Sequence, residues 1–239
     1  MEDPFAHHPG LRDLVTPPED SFFRDFEPRD LLEDIRKKGM NPPFFTAEER
    51  EAARRDALDD HDGDLWVFAY GSLMWDPGVL FDELRRAYAP CHERRFILRD
   101  IWGARGTLER PGLMAALDEG DGCHGLAFRI PAARVEDETR RLWAREAPAP
   151  GYIPRMITVA HDAGEVQALA FLADHDTENM FPDMPRATQV NYLATGTGFL
   201  GSSYDYINNL AQQFDALGIK DAHVTDLLAE VEERRQSLS

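Results

Sequence analysis

The chain has 239 residues, 43% of them apolar and 29% charged, the balance of a folded globular protein rather than a disordered one. Its net charge of −18 repels phosphate backbones and anionic lipid, which argues against generic nucleic-acid binding and membrane adsorption. No apolar run approaches the roughly 20 residues that span a bilayer. The polar stretch 1–10 does not read as a secretory signal. The two cysteines, Cys91 and Cys123, are too few for a disulfide framework or a cysteine-rich zinc site. A cytoplasmic protein with reduced thiols is the expectation.

The chain divides near Gly63. Residues 1–63 carry 17 acidic and 9 basic side chains, a net −8, and are rich in Pro and Phe. Leu31, Leu32 and Ile35 recur at helical spacing within 28–38, with Asp30 as a candidate cap. Thr46 followed three residues later by Glu49 is a capping-box pattern that opens a second, polar helix to about Asp59. Phe22, Phe23, Phe26, Phe44 and Phe45 are too many aromatics for a solvated tail. The stretch therefore reads as an arm of short helices strapped onto the main domain, the alternative being a disordered acidic tail.

The main domain, 64–239, opens with the apolar run 65–70, a buried strand ended by Gly71. Further strands are predicted at 93–100, 113–117, 125–130, 156–161 and 166–172. A helix is predicted over 131–146, with Pro131 in its first turn, and three more over 186–195, 203–217 and 221–235. Strands come first and helices collect late, which predicts an α+β fold with a mixed or barrel-like sheet.

Several motifs fail on inspection. Residues 196–201 match G-x-G-x-x-G, but a helix is predicted ahead of them where a dinucleotide site needs a strand. Residues 60–64 resemble the start of a calcium loop, but Leu65 and Gly71 stand where Gly and Glu are required. The eight histidines form no H-E-x-x-H pair. Ser72 is not in a G-x-S-x-G elbow. His92 and His124 directly follow Cys91 and Cys123, and adjacent strand residues point to opposite faces, so neither pair makes a dyad.

Two features remain. Tyr70, Gly71, Ser72 and Leu73 close the first strand, and consecutive N–H groups at such a turn can hold a carboxylate or an oxyanion. The same four residues also suit an ordinary turn. Glu146 ends the helix of 131–146, four residues after Leu142 and three after Trp143, which places it on the inward side. Burial and a helix C-terminus both favour the neutral carboxyl and suit a general base working near neutrality. A buried ion pair with a nearby Arg accounts for it equally well at this point.

In this order the sequence resembles the ChaC-like γ-glutamylcyclotransferases over about 66–232. The resemblance is carried by Trp66 through Trp75, Arg94-Arg-Phe96, Pro111-Gly112 with Ala116-Leu117, Gly122-Cys123 with the block 125–128, Arg145-Glu146 with Gly151-Tyr152, and Tyr206 to Leu210. It implies a small mixed β-barrel surrounded by helices. It also implies cleavage of a γ-glutamyl amide, preferentially glutathione, to 5-oxoproline and cysteinylglycine, with no metal or organic cofactor. By resemblance Glu146 is the catalytic carboxylate. Ala69, Tyr70, Gly71, Ser72, Leu73 and Met74, together with Tyr152 and Tyr206, hold the substrate. The partner implied is a small molecule, with no nucleic acid and no membrane, and the oligomeric state is open.

The sequence departs from the family pattern at Pro150-Gly151, at 180–185 and in the acidic arm. Those departures leave the leaving group open, so other γ-glutamyl peptides or γ-glutamylamines are alternative substrates. A non-catalytic binding protein on the same scaffold is the alternative of a different class.

Overall fold

The computed structural model describes residues 3–37 and 39–238. Seven strands make the main sheet: β1 (Leu65–Ala69), β2 (Glu83–Ala89), β3 (His92–Trp102), β4 (Thr107–Glu119), β5 (Cys123–Ile130), β6 (Tyr152–His161) and β7 (Gly164–Ala173). Their order is β1-β5-β2-β6-β7-β4-β3, and β1 also pairs with β7. The five strands β1, β5, β2, β6 and β7 thus close into a ring, sealed by the parallel pairs Trp66↔Ala168 and Val67↔Leu169. The antiparallel β3–β4 ribbon continues outward from β7, attached at Leu117↔Leu172. The fold is α+β with a closed five-stranded barrel and helices, as the sequence leads one to expect.

Side chains alternate across a strand, and β1 shows the consequence. Phe68 on one face joins Ala87, Ala89, Ala127, Ile157, Val159, Ala168 and Ala170, a strand-only cluster whose small residues fill the narrow ring. Leu65, Val67 and Ala69 on the other face join the larger core under the helices.

The helices are α1 (Pro28–Lys37), α2 (Ala47–Ala57), α3 (Val135–Glu146), α4 (Arg186–Thr195), α5 (Ser203–Leu217) and α6 (Ala222–Leu238). The expected capping box of α2 is present, with Thr46 accepting from the Glu49 N–H and Glu49 accepting from the Thr46 N–H. Asp30 is not the cap of α1 but lies within its first turn, because Pro28 already has the helical φ and needs no donor there. Lys38, the predicted end of that helix, lies outside the described residues. The helix predicted from Pro131 starts as a 3₁₀ turn at Ala132–Arg134, and α geometry begins at Val135. Residues 196–201 connect α4 to α5 through the two-residue strands β8 (Thr197–Gly198) and β9 (Gly201–Ser202).

β2 has no counterpart in the sequence expectation. Arg85 and Arg86 interrupt its apolar pattern, and only Leu84, Ala87 and Ala89 are fully buried. β4 and β6 run longer than expected because Pro111 and Pro154, ordinarily strand-breaking residues, lie within them.

The arm runs across the domain. The Leu84 N–H donates to Pro4 O at 3.2 Å and the Arg86 N–H to His8 Nε2 at 2.8 Å, on a strand that β6 meets at the single pair Tyr88↔Ala160. Leu11 and Val15 enter the core, and Gln213 of α5 donates to Leu14 O at 2.7 Å. Arg24 makes a two-pronged pair with Glu138, at 2.5 and 3.0 Å. The Glu138 side chain is only 3% exposed, and it also accepts from the Leu80 N–H at 2.9 Å. Arg54 of α2 reaches Thr139 and Glu136 on α3, each at 3.0 Å.

Removing Arg24 strands a buried carboxylate. Arg24→Ala should therefore lower the melting temperature by several degrees, since breaking a buried pair costs at most about 3–5 kcal/mol and each kcal/mol is worth roughly 2–4 °C in a chain of this size. Differential scanning calorimetry checks it; an unchanged transition would show that the pair does not anchor the arm.

Candidate active site

The site begins where β1 ends. Tyr70 is buried, and its hydroxyl donates to Phe171 O at 2.7 Å. The chain turns at Gly71 into a 3₁₀ turn, Ser72–Met74. A Cβ on Gly71 would run into the Tyr206 hydroxyl. Tyr206 is itself held edge-on by Trp75, 5.1 Å away between ring centres, and by Phe96. The glycine is thus fixed by the tyrosine that packs against it.

Arg94 on β3 holds the turn from behind. Its Nε donates to Tyr70 O at 2.6 Å, its Nη1 bonds Asp221 Oδ2 at 2.9 Å, and its Nη2 donates to His124 O. The guanidinium lies 4.6 Å from the ring centre of Phe214. One buried cation thereby ties the end of β1 to β5 and to the residue that precedes α6.

α3 delivers Glu146. Leu142 and Trp143 are buried, and Trp143 packs edge-on against Phe171 at 5.2 Å. The next inward position is Glu146, the last residue of the helix. Its carboxylate pairs with the Arg145 Nε at 2.8 Å, and the two side chains are 14% and 3% exposed. Arg145 also donates from Nη2 to Ser72 Oγ at 3.0 Å and from Nη1 to Asp76 O. Its guanidinium stacks on Phe23 of the arm, 4.0 Å from the ring centre. The ion pair with a nearby Arg that the sequence allowed for Glu146 is present, and the same carboxylate lines the inner chamber.

Burial pushes the Glu146 carboxyl up from its ordinary value, and the Arg145 charge opposes that shift. Burial also pushes the Tyr70 and Tyr152 hydroxyls far up, and Tyr206 up to about 12. All three phenols are therefore neutral near physiological pH and act as dipoles rather than charges.

A small inner chamber is lined by Tyr70, Gly71, Ser72, Leu73, Glu146, Tyr152 and Tyr206, with Ala115 and Phe171. It opens into a larger outer cleft, whose wall includes Phe23, Phe26 and Phe44 of the arm. Of the residues that the sequence reading gave a substrate role, Ala69 and Met74 do not line the chamber. Both are fully buried: Ala69 faces the helix-side core, and the Met74 N–H is spent on Gly71 O at 2.9 Å. Arg94 and Arg145 entered the sequence reading only as parts of family blocks. Their roles as anchors depend on contacts with residues distant in sequence, which no local pattern announces.

The family model of the ChaC-like proteins matches residues 65–234. The chain belongs to the ChaC-like family. It is 34% identical over 191 residues to the glutathione-specific γ-glutamylcyclotransferase of Escherichia coli K12, a match covering 79% of this chain and 82% of that one. It is 31% identical over 199 residues to the enzyme of the same name from Schizosaccharomyces pombe, covering 73% and 96%. The fold superposes on the crystal structure of a γ-glutamyl cyclotransferase specific to glutathione from yeast, with a TM-score of 0.67 at 20% identity, covering 73% of this chain and 98% of that one. Within this ChaC-like protein Tyr70 to Leu73 and Glu146 meet at one chamber although they lie far apart in sequence.

The Arg94 anchor has a measurable consequence. Lysine keeps the charge but cannot serve three acceptors in a plane. Arg94→Lys should destabilise by about 1–3 kcal/mol, the range for leaving buried polar groups unsatisfied. Asp221→Asn, which keeps a hydrogen-bonding side chain at a partly exposed partner, should cost less. Paired thermal melts rank the two, and the opposite order would remove Arg94 as the anchor of the turn.

Proposed function

We propose that this chain is a glutathione-directed γ-glutamylcyclotransferase that releases 5-oxoproline and cysteinylglycine, with Glu146 as the general acid and base. The observation that carries the proposal is a buried, ion-paired carboxylate facing the turn of Tyr70 to Leu73 across a chamber with three neutral phenols. The names of the matched relatives support the substrate class.

The chemistry follows from the substrate's own reach. The α-amine of a γ-glutamyl group attacks its γ-carbonyl carbon, a C–N bond closes a five-membered ring, and the C–N bond to the cysteinyl nitrogen breaks. The nucleophile is tethered, so its effective concentration is very high and no enzyme nucleophile is needed. An α-ammonium must first lose a proton, since its pKa lies near 8. Glu146 accepts that proton and returns one to the leaving nitrogen. Backbone N–H groups around Gly71 to Leu73 receive the developing oxyanion, and the Tyr152 and Tyr206 hydroxyls border the glutamyl end. The Arg145 charge keeps enough of the buried Glu146 carboxyl ionised to act as a base.

The same reading divides the chain near Gly63, with 1–63 closing the outer cleft and 64–239 carrying the chemistry. It takes the enzyme to work in the cytoplasm on a small molecule. The tethered amine and Glu146 between them cover attack and proton transfer, so the reading calls on no metal or organic cofactor.

Glu146→Gln keeps the shape and removes the base. It should lower kcat by roughly 10²–10⁴-fold with little change in KM and a native melting curve. A stable variant that still forms 5-oxoproline at near wild-type rates would end the assignment. Burial favours the protonated carboxyl, and that form cannot accept a proton. The wild-type rate should thus fall on acidification with a midpoint above the ordinary glutamate value of 4.5, as read from a kcat/KM profile against pH.

Gly71→Val should cripple turnover while leaving the barrel folded, because the new side chain must displace Tyr206 into a packed wall. Circular dichroism with a 5-oxoproline assay separates the two effects, and a fully active variant would take the turn out of the site.

A further inference from the structure

The outer cleft contains an arginine that the protein does not satisfy. Arg99 lies on β3, its backbone N–H fixed to Asn179 O at 2.8 Å. Its guanidinium lies 4.5 Å from the ring centre of Phe181, and its Nε is buried with no hydrogen-bond partner. The side chain makes no ion pair among the described residues.

The other cleft arginine is fully engaged: Arg145 serves Glu146, Ser72 and Asp76. The neighbouring carboxylate of Asp100 is engaged too. It accepts the N–H of Trp102 at 2.9 Å, of Gly106 at 2.9 Å and of Arg105, so its oxygens are turned to the backbone and it makes no ion pair with Arg99.

A buried guanidinium donor without an acceptor is costly. The terminal nitrogens of the same half-buried guanidinium make no hydrogen bond or ion pair among the described residues and are the donors that an acceptor in the cleft can reach. The cleft around it is apolar, with Phe26, Phe44, Leu98, Trp102 and Met114 in its wall, and a low dielectric strengthens any charge pair formed there. The cleft is continuous with the inner chamber, because Ser72, Glu146, Tyr152 and Tyr206 line both. A substrate with its γ-glutamyl end in the chamber extends its remaining two residues, at most about 7 Å of chain, into this cleft.

We infer that Arg99 binds the terminal carboxylate of the leaving dipeptide and so selects γ-glutamyl substrates that end in a carboxylate. The inference rests on the proposed cyclotransferase activity and specifies the leaving-group end of the same site. The planar guanidinium fits a carboxylate with two parallel hydrogen bonds, and the Phe181 ring holds its plane.

The test compares glutathione with its glycine monoethyl ester in the wild type and in Arg99→Gln. The wild type should prefer the acid. Arg99→Gln should raise KM for glutathione by roughly 10–100-fold, the worth of a charge-assisted pair, with kcat little changed and the ester unaffected. Arg99→Lys, which keeps the charge, should recover part of the loss. Equal losses on acid and ester, or no loss on either, would overturn the role of Arg99 while leaving the cyclotransferase reading in place.

If the wild type forms no 5-oxoproline from glutathione, the proposed function fails instead. Calorimetry with cysteinylglycine and cysteinylglycinamide then reads Arg99 without turnover. Binding that needs the carboxylate and is lost in Arg99→Gln supports the carboxylate site. Equal binding of acid and amide overturns it.

Discussion

The candidate site depends on keeping a buried carboxylate charged. An isolated buried carboxyl holds its proton. Arg145 resolves this by pairing with Glu146 at 2.8 Å while remaining only 3% exposed itself. The arginine is held in place by Ser72 on the turn, by the Asp76 carbonyl and by the Phe23 ring. The end of α3, the turn after β1 and the arm therefore converge on one guanidinium, and displacing any of them alters the electrostatics of the same carboxyl.

This convergence explains why an acidic arm is tolerated so near a carboxylate. Against α3 the arm presents the Phe23 ring, Arg24 and Arg54, and its acid Glu51 there is paired with Arg140 at 3.6 Å. Phe23 covers Arg145, and Arg24 neutralises Glu138 about two turns earlier on α3. At its other end the arm supplies Pro4 O and His8 Nε2 to N–H groups of β2. Arm and barrel are therefore joined by backbone hydrogen bonds, core packing and ion pairs together, which distinguishes this segment from a solvated tail.

Much of the architecture was legible because buried strands and amphipathic helices leave periodic patterns. The run before Gly71 announced β1, and Leu142 with Trp143 fixed the inward side of α3 and hence of Glu146. The capping box at Thr46 was legible from two residues. β2 was not, since its buried positions are a leucine and two alanines set among arginines. The inclusion of Ala69 and Met74 in the substrate loop came from treating a contiguous block as a surface. In the fold, a strand end and a tight turn send alternate side chains into the core. Arg94 and Arg145 as anchors could not be read locally, because their acceptors lie from 24 to 127 residues away for the one and about 70 for the other.

The β3–β4 ribbon has a consequence for how such a molecule can diversify. The ring of β1, β5, β2, β6 and β7 closes on itself without the ribbon, which joins at a single parallel pair with β7. Leu98, Arg99, Asp100, Trp102 and Met114 all belong to the ribbon and line the outer cleft, whereas Glu146 and the turn that begins at Gly71 hang from the ring and its helix. The ribbon also reaches back to the inner chamber, through Arg94 behind the turn, Phe96 against Tyr206 and Ala115 in the wall. Substitutions confined to the ribbon's cleft face therefore leave the strand pairs that close the barrel in place, whereas changes at Arg94 or Phe96 reach the turn and Tyr206.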